Sequence, residues 1–290
     1  MNRKDRRRQK AATQARGSGA GPPAPAFGAD DALAMLTGRV ARLAPGEPEQ
    51  PMAKGFVFSM ALAEAVIALD GRRDLAVALK AVAAVYAFAE GLWTSAKARI
   101  AGKKIACAKG CSWCCHQQVS LISYEAVAIV EHIRKTWSDE RRSALIRRLS
   151  ERVAAGSGLE SDQIRVRRMR CPFLEDGACS IYAVRPFRCR GYNSIDEDVC
   201  RWIYEHAEEA VDKRKANALP LVFDGEAPRI FDDAQHALAT ALSRGGFLFD
   251  HLELTRSVLM GLEDEALLAR WLAGEDVFAP ARIGDKPETK

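Results

Sequence analysis

All eight cysteines of this 290-residue chain lie between Cys107 and Cys200, and four of them fall within nine residues. The first cluster reads Cys107-Ala-Lys-Gly-Cys111-Ser-Trp-Cys114-Cys115-His116. The second reads Cys171-Pro172-Phe173-Leu174, then Gly177-Ala-Cys179-Ser-Ile181-Tyr182, then Arg185-Pro186-Phe187-Arg188-Cys189-Arg190, with Cys200 following. A single cysteine behaves as a small buried hydrophobe, but neither packing nor average composition accounts for this density. Spacings of two or three residues let one turn of backbone offer two sulfurs to a metal while its N–H groups face the thiolates. The remaining ligands must come from another segment, so any fold has to bring the two cysteine regions together.

Metal identity stays open between two readings. Three closely spaced cysteines with a remote Cys-Pro follow bacterial ferredoxin logic and favour an iron–sulfur cluster. Zinc accepts the same thiolates, and eight of them would fill two four-thiolate sites. Adjacent Cys114 and Cys115 are expected to project in different directions, so one serves a second site or stays free. The favoured single site combines Cys107, Cys111, Cys114 and one of Cys171, Cys179 or Cys189. Cys200, on a predicted helix beside Trp202, is open between ligand and buried hydrophobe. His116 is open between ligand and hydrogen-bonding neighbour, while His132, His206, His236 and His251 form no ligand pair.

Charge is partitioned as sharply as the thiols. The formal net charge of +5 divides into +6 for residues 1–16, −2 for 17–96, +10 for 97–190 and −9 for 191–290. Cations at Lys103, Lys104, Lys109, Arg185, Arg188 and Arg190 favour deprotonated thiolates and offset the charge of a thiolate-ligated centre. Arg185 is also expected to bond loop carbonyls. Arginines 141, 142, 147, 148, 165, 167, 168 and 170 present either a solvated face or a nucleic-acid surface. Aromatic interleaving of the stacking-platform kind is missing from them.

The basic amino terminus leads into Gly/Pro/Ala-rich sequence without an apolar run, so export is not expected. The apolar stretch from Phe56 to Leu69 is interrupted by Glu64 and falls short of the roughly 18 residues of a spanning helix. A soluble cytoplasmic protein follows, where clustered thiols serve metals or redox chemistry rather than structural disulfides.

The organisation predicted is mainly α, with irregular cysteine-rich loops between helices. Residues 1–30 form a disordered basic arm. Residues 31–101 form a helical region with a short helix from Asp31 to Leu43 and a long hairpin. Its second arm carries Leu75, Leu79, Val82, Tyr86, Ala89 and Trp93 as a core-facing stripe. Residues 102–215 form the cysteine-cluster domain and 216–290 a helical extension. Helices are predicted from Ser123, as N-cap, to Lys135; from Ser138 to Gly156; over Asp162–Met169; over Glu197–Lys215; and in two or three pieces between Asp232 and Ala273. Strand signals are few, and the short run Leu219–Phe223 is the best candidate.

In residue type and order, Cys-x3-Cys-x2-Cys-Cys followed by Cys-Pro-Phe-Leu, Gly-x-Cys-Ser-Ile-Tyr and Arg-Pro-x-x-Cys-Arg resembles the YkgJ-type cysteine-cluster proteins, a zinc- or iron-chelating family. The resemblance covers Cys107 to Cys200. It implies metal positions at Cys107, Cys111, Cys114, Cys115, Cys171, Cys179 and Cys189, and a more variable one at Cys200. One branch of the family resembles flagellin lysine methylases with an iron–sulfur centre. The leading functional expectation is a metal-binding protein holding an iron–sulfur cluster or zinc, with a redox role open. An enzyme resembling the methylases, or a Cys114-Cys115 redox catalyst, comes second, since no Gly-rich strand-to-helix loop is present to cradle an adenosyl cofactor. A nucleic-acid-binding zinc module ranks third. A protein partner is open and membrane association is not expected.

Overall fold

The computed structural model describes Leu62 and residues 74–99, 105–108, 110–219 and 225–283. The basic arm, the Asp31–Leu43 helix, all but Leu62 of the first arm of the hairpin, Lys103, Lys104, Lys109 and all but Leu219 of the strand candidate lie outside the described residues.

The described chain is mainly α. Its helices are α1 (Leu75–Arg99), α2 (Ser123–Thr136), α3 (Asp139–Gly156), α4 (Ser161–Val166), α5 (Phe187–Gly191), α6 (Glu197–Glu205), α7 (Ala207–Lys215), α8 (Glu226–Arg244), α9 (Leu254–Glu263) and α10 (Leu267–Leu272). Val82, Tyr86, Ala89 and Trp93 of the α1 stripe are buried, with Leu75 and Leu79 at its half-buried edge. Helix α1 packs on α8 and α2, while α9 packs on α2 and α3 and α8 covers α5. One hydrophobic core runs through these helices, and Cys171, Cys179 and Cys189 pack against it. Leu75–Lys97 is long and apolar enough to cross a membrane by length and composition, a property the reading of Phe56–Leu69 passed over. In this structure it is a packing helix, and Glu90 on it accepts a hydrogen bond from Arg190 at 2.6 Å.

Several predicted boundaries move for local reasons. Ser123 does not cap α2. Ile122 occupies the cap position, and its N–H is taken by the Glu125 carboxylate at 2.9 Å, while Ser123 Oγ bonds the Leu248 carbonyl and the Asp250 N–H. Helix α4 stops at Val166 rather than Met169 because Arg168 turns left-handed (φ 49°), its guanidinium donating to the carbonyls of Tyr204 and Glu205. The predicted helix over Glu197–Lys215 is two helices, broken at His206, whose ring stacks on Trp202. Ser138 caps α3 through the Arg141 N–H, as predicted.

Short strands tie the helices. β1 (Ser120–Ile122) pairs antiparallel with β4 (His251–Glu253), Leu121 opposite Leu252, which joins the start of α2 to the start of α9. β2 (Leu174–Glu175) and β3 (Ala178–Cys179) form a hairpin across Asp176-Gly177, with φ of 48° and 75°. Two consecutive positive φ values are what a two-residue hairpin turn of matching twist requires.

Candidate metal centre

The two cysteine regions meet. The Ala106 N–H donates to the Ser194 carbonyl (2.8 Å), and the Cys171 N–H donates to the Cys115 carbonyl (2.8 Å). The tip of the β2–β3 hairpin abuts the first loop, so closely that a Cβ on Gly177 would lie 3.6 Å from the Gly110 carbonyl oxygen. Helix α5 brings Cys189 and helix α6 brings Cys200, the latter started by Asp196 accepting the Val199 N–H. All eight cysteines are free.

Backbone N–H groups serve the sulfurs in a repeated pattern. Cys111, Cys171 and Cys179 each accept from the N–H two residues further on, at Trp113, Phe173 and Ile181. Cys107 Sγ accepts from the Ser194 N–H at 3.1 Å. Such donors stabilise thiolate over thiol, and all-thiol surroundings with N–H···S bonds suit zinc and iron–sulfur centres alike.

Proximity among the sulfurs is dense. Cys107, Cys111, Cys114 and Cys200 would all repel one another as thiolates, as would Cys171, Cys179 and Cys189, and Cys114 also faces Cys179 and Cys189. Cys200 therefore stands in the same group as Cys107, Cys111 and Cys114. The thiols of Cys114 and Cys115, expected to diverge, are hydrogen-bonded to each other, because both sit in the tight turn over 113–116 rather than in a helix or strand. Among the described residues, no three His, Cys, Asp or Glu side chains converge at metal-ligating distance.

Without metal the thiol form is favoured. Burial pushes Cys171 up to about 12, and burial likewise raises Cys107, Cys111, Cys179, Cys189 and Cys200; for Cys114 the hydrogen bond to Cys115 is the largest cause. Arg185 opposes this at Cys107, Cys114, Cys179 and Cys189, and Arg152 does so at Cys171. The arginines act in the direction expected from the sequence, favouring thiolate, but desolvation outweighs them in the metal-free thiols. A metal ion supplies the missing charge, since ligation releases the thiol protons.

The arginines near the site divide differently than expected. Arg190, not Arg185, bonds the loop carbonyls, with Nε on Arg185 and a terminal nitrogen on Ala183, both at 2.8 Å. Arg185 lies over the Tyr182 ring, 4.2 Å from its centroid. His116 packs on Tyr204, and its buried Nδ1 has no hydrogen-bond partner. Burial lowers its pKa and keeps it neutral. Many of the arginines read as a basic face are engaged: Arg141 and Arg148 on Glu175, Arg142 on Asp139, Arg165 on Gln117, and Arg170 on the Leu174 carbonyl.

Gathered free thiols, served by N–H donors and flanked by guanidinium groups, define a cysteine-based metal-chelating domain. The family model described as "putative zinc- or iron-chelating domain", CxxCxxCC, matches residues 106–215, the segment whose motifs resemble the cysteine-cluster family. No curated protein and no solved structure matches the chain.

Proposed function

We propose that the chain is a cytoplasmic metalloprotein whose cysteine segment holds an iron–sulfur cluster, in preference to zinc, with a redox role. The observation that carries this reading is the meeting of sulfurs from four separate pieces of chain around Cys114. The i+2 N–H donors at Cys111, Cys171 and Cys179 are of the kind that tune cluster potential. Arg185, beside four of the thiols, offsets the negative charge of a thiolate-ligated centre. Eight thiols without a disulfide accord with a reducing compartment.

Purification under exclusion of oxygen, followed by iron, zinc and sulfide analysis and a visible spectrum before and after dithionite, tests this. The expected result is iron and acid-labile sulfide with a broad absorption that bleaches on reduction. Stoichiometric zinc in a colourless protein would replace the cluster by zinc. A protein with neither metal would overturn the reading.

A further inference from the structure

We propose that the cleft between α3 and the Cys171–Asp176 stretch is a binding site for a small organic anion, whose oxyanion head Arg152 holds. The site does not depend on which metal the cysteines take.

The cleft has a volume of about 590 Å³, within the range of small-molecule sites. Arg148, Arg152 and Arg170 line it together with Met169 and Leu174, and Cys171 contributes to its wall. Arg152 is the decisive residue. It is half-buried, and its Nε, removed from solvent, has no hydrogen-bond partner among the described residues. Its guanidinium lies against Gly156, where a Cβ would come within 2.8 Å of a terminal nitrogen. A buried cation without a partner is costly. Burial is the largest influence on Arg152 and acts against its charge, while Glu253 and Cys171 are the acidic groups that favour it. Glu253 is already taken up in capping α9, where it accepts the Arg256 N–H at 2.8 Å. The carboxylates of the cleft do not pair with Arg152 either: Glu175 is held between Arg141 and Arg148, and Glu151 and Asp176 stand exposed at the rim. An oxyanion from solution is the partner that this environment lacks.

The surroundings define its class. Arg148 donates to Glu175 and the Pro172 carbonyl, and Arg170 to the Leu174 carbonyl, so each keeps N–H groups for a ligand. Guanidinium forks match the oxygens of carboxylate and phosphate alike. Met169 and Leu174 offer apolar surface to the body of the ligand. Glu151, Glu175 and Asp176 offset the three arginines in number, so the cleft presents one uncompensated cation rather than a broad basic surface. That suits a small anion and not a polyanion.

Isothermal titration calorimetry of the full chain as purified tests this, with phenyl phosphate, benzoate and inorganic phosphate as probes at an ionic strength held constant with chloride. The expected result is saturable binding of an aryl anion, tighter than inorganic phosphate; the two aryl probes distinguish a phosphate from a carboxylate head. Arg152→Gln is expected to weaken that binding about tenfold or more. Arg170→Gln should weaken it less, and Arg147→Gln, on α3 and exposed outside the cleft, should leave it unchanged. Absence of saturable binding would overturn the proposal, as would inorganic phosphate binding at least as tightly as the aryl anions. Equal weakening by Arg152→Gln and Arg147→Gln would overturn it too, because general charge attraction would then account for the binding. If Arg152→Gln does not fold, the comparison of Arg170→Gln with Arg147→Gln decides. Iron and zinc analysis of the same samples keeps the metal reading separate: an Arg152→Gln protein with altered metal content and unaltered anion binding would assign Arg152 to Cys171 instead.

Discussion

Glu125 shows how much a single buried side chain organises beneath the cysteine loops. Its carboxylate, fully removed from solvent, accepts from the N–H groups of Ile122 (2.9 Å) and Phe187 (2.7 Å), from Gln235 Nε2 (2.7 Å) and from the Tyr86 hydroxyl (3.2 Å). It thereby joins α1, α2, α5 and α8, and α5 carries Cys189. Glu125→Ala would strand these donors, and the expected loss is about 3–5 kcal/mol in urea unfolding, since removing one partner costs more than the bonds contribute on balance. Burial is the largest cause acting on Glu125 and raises its pKa, with the four donors opposing it. The folded state then holds this proton more tightly than the unfolded one. Its contribution to stability is greatest at acid pH and falls as pH rises from the ordinary carboxylate range through the raised value. Glu125→Gln should flatten that part of the stability–pH profile, measured by denaturant midpoints across pH; an unchanged slope would refute the assignment. Arg190 is the second such residue: its planar fork reaches Glu90, Arg185 and Ala183 while lying 4.0 Å above the centre of Tyr86. Arg190→Lys keeps the charge and loses the fork, for an expected cost of about 2–3 kcal/mol in the same assay.

Helix packing carries the next level of specification, and Gly261 on α9 shows it. A Cβ there would come within 2.5 Å of Val130 Cγ2 on α2. Gly261→Ala gains about 1 kcal/mol of helix propensity, yet the overpacking costs about 1–3 kcal/mol. We expect net destabilisation that Val130→Ala partly relieves, read as a coupling energy in a double-mutant cycle; strictly additive effects would mean that the helices separate freely. Such close approaches are invisible in sequence, because a glycine inside a helix carries no mark of the neighbour it admits. The periodic stripe of α1 and the Ser138 cap of α3 were legible, as periodicity and capping are local. The break at His206 was not, since it depends on ring stacking with Trp202 and on Arg168 reaching across from another element. The β2–β3 hairpin left a local signal, Asp176-Gly177, that went unread because its strands are two residues each. The cysteine motifs announced metal chemistry directly. Which sulfurs stand together was hidden, because Cys200 and Ser194 meet Cys107 across 93 and 87 residues of chain.

At the scale of the whole molecule, much of the helical packing is made outside the thiol loops, which reach the core through Phe173, Ile181 and Phe187. The contacts of α1 with α8, of α2 with α9 and of β1 with β4 involve no cysteine, whereas the described residues of 105–119 form neither helix nor strand and 170–200 holds only short elements. Metal binding and loop order should therefore be linked while most of the helix content is not. A metal held at about a thousand times its dissociation constant adds about 4 kcal/mol to the state that binds it. For a chain of this size that corresponds to a rise in Tm on the order of 10 °C if the loops and core unfold together. Chelation under reducing, oxygen-free conditions is expected to lower Tm by that order and to open the 105–119 and 170–200 segments to protease. Far-UV circular dichroism at 25 °C should change little. The reverse pattern, in which chelation collapses the helical signal at 25 °C, would mean that the cysteine loops hold the helices in place rather than resting on them. A Tm and a cleavage pattern indifferent to chelation would remove metal from the account of stability altogether.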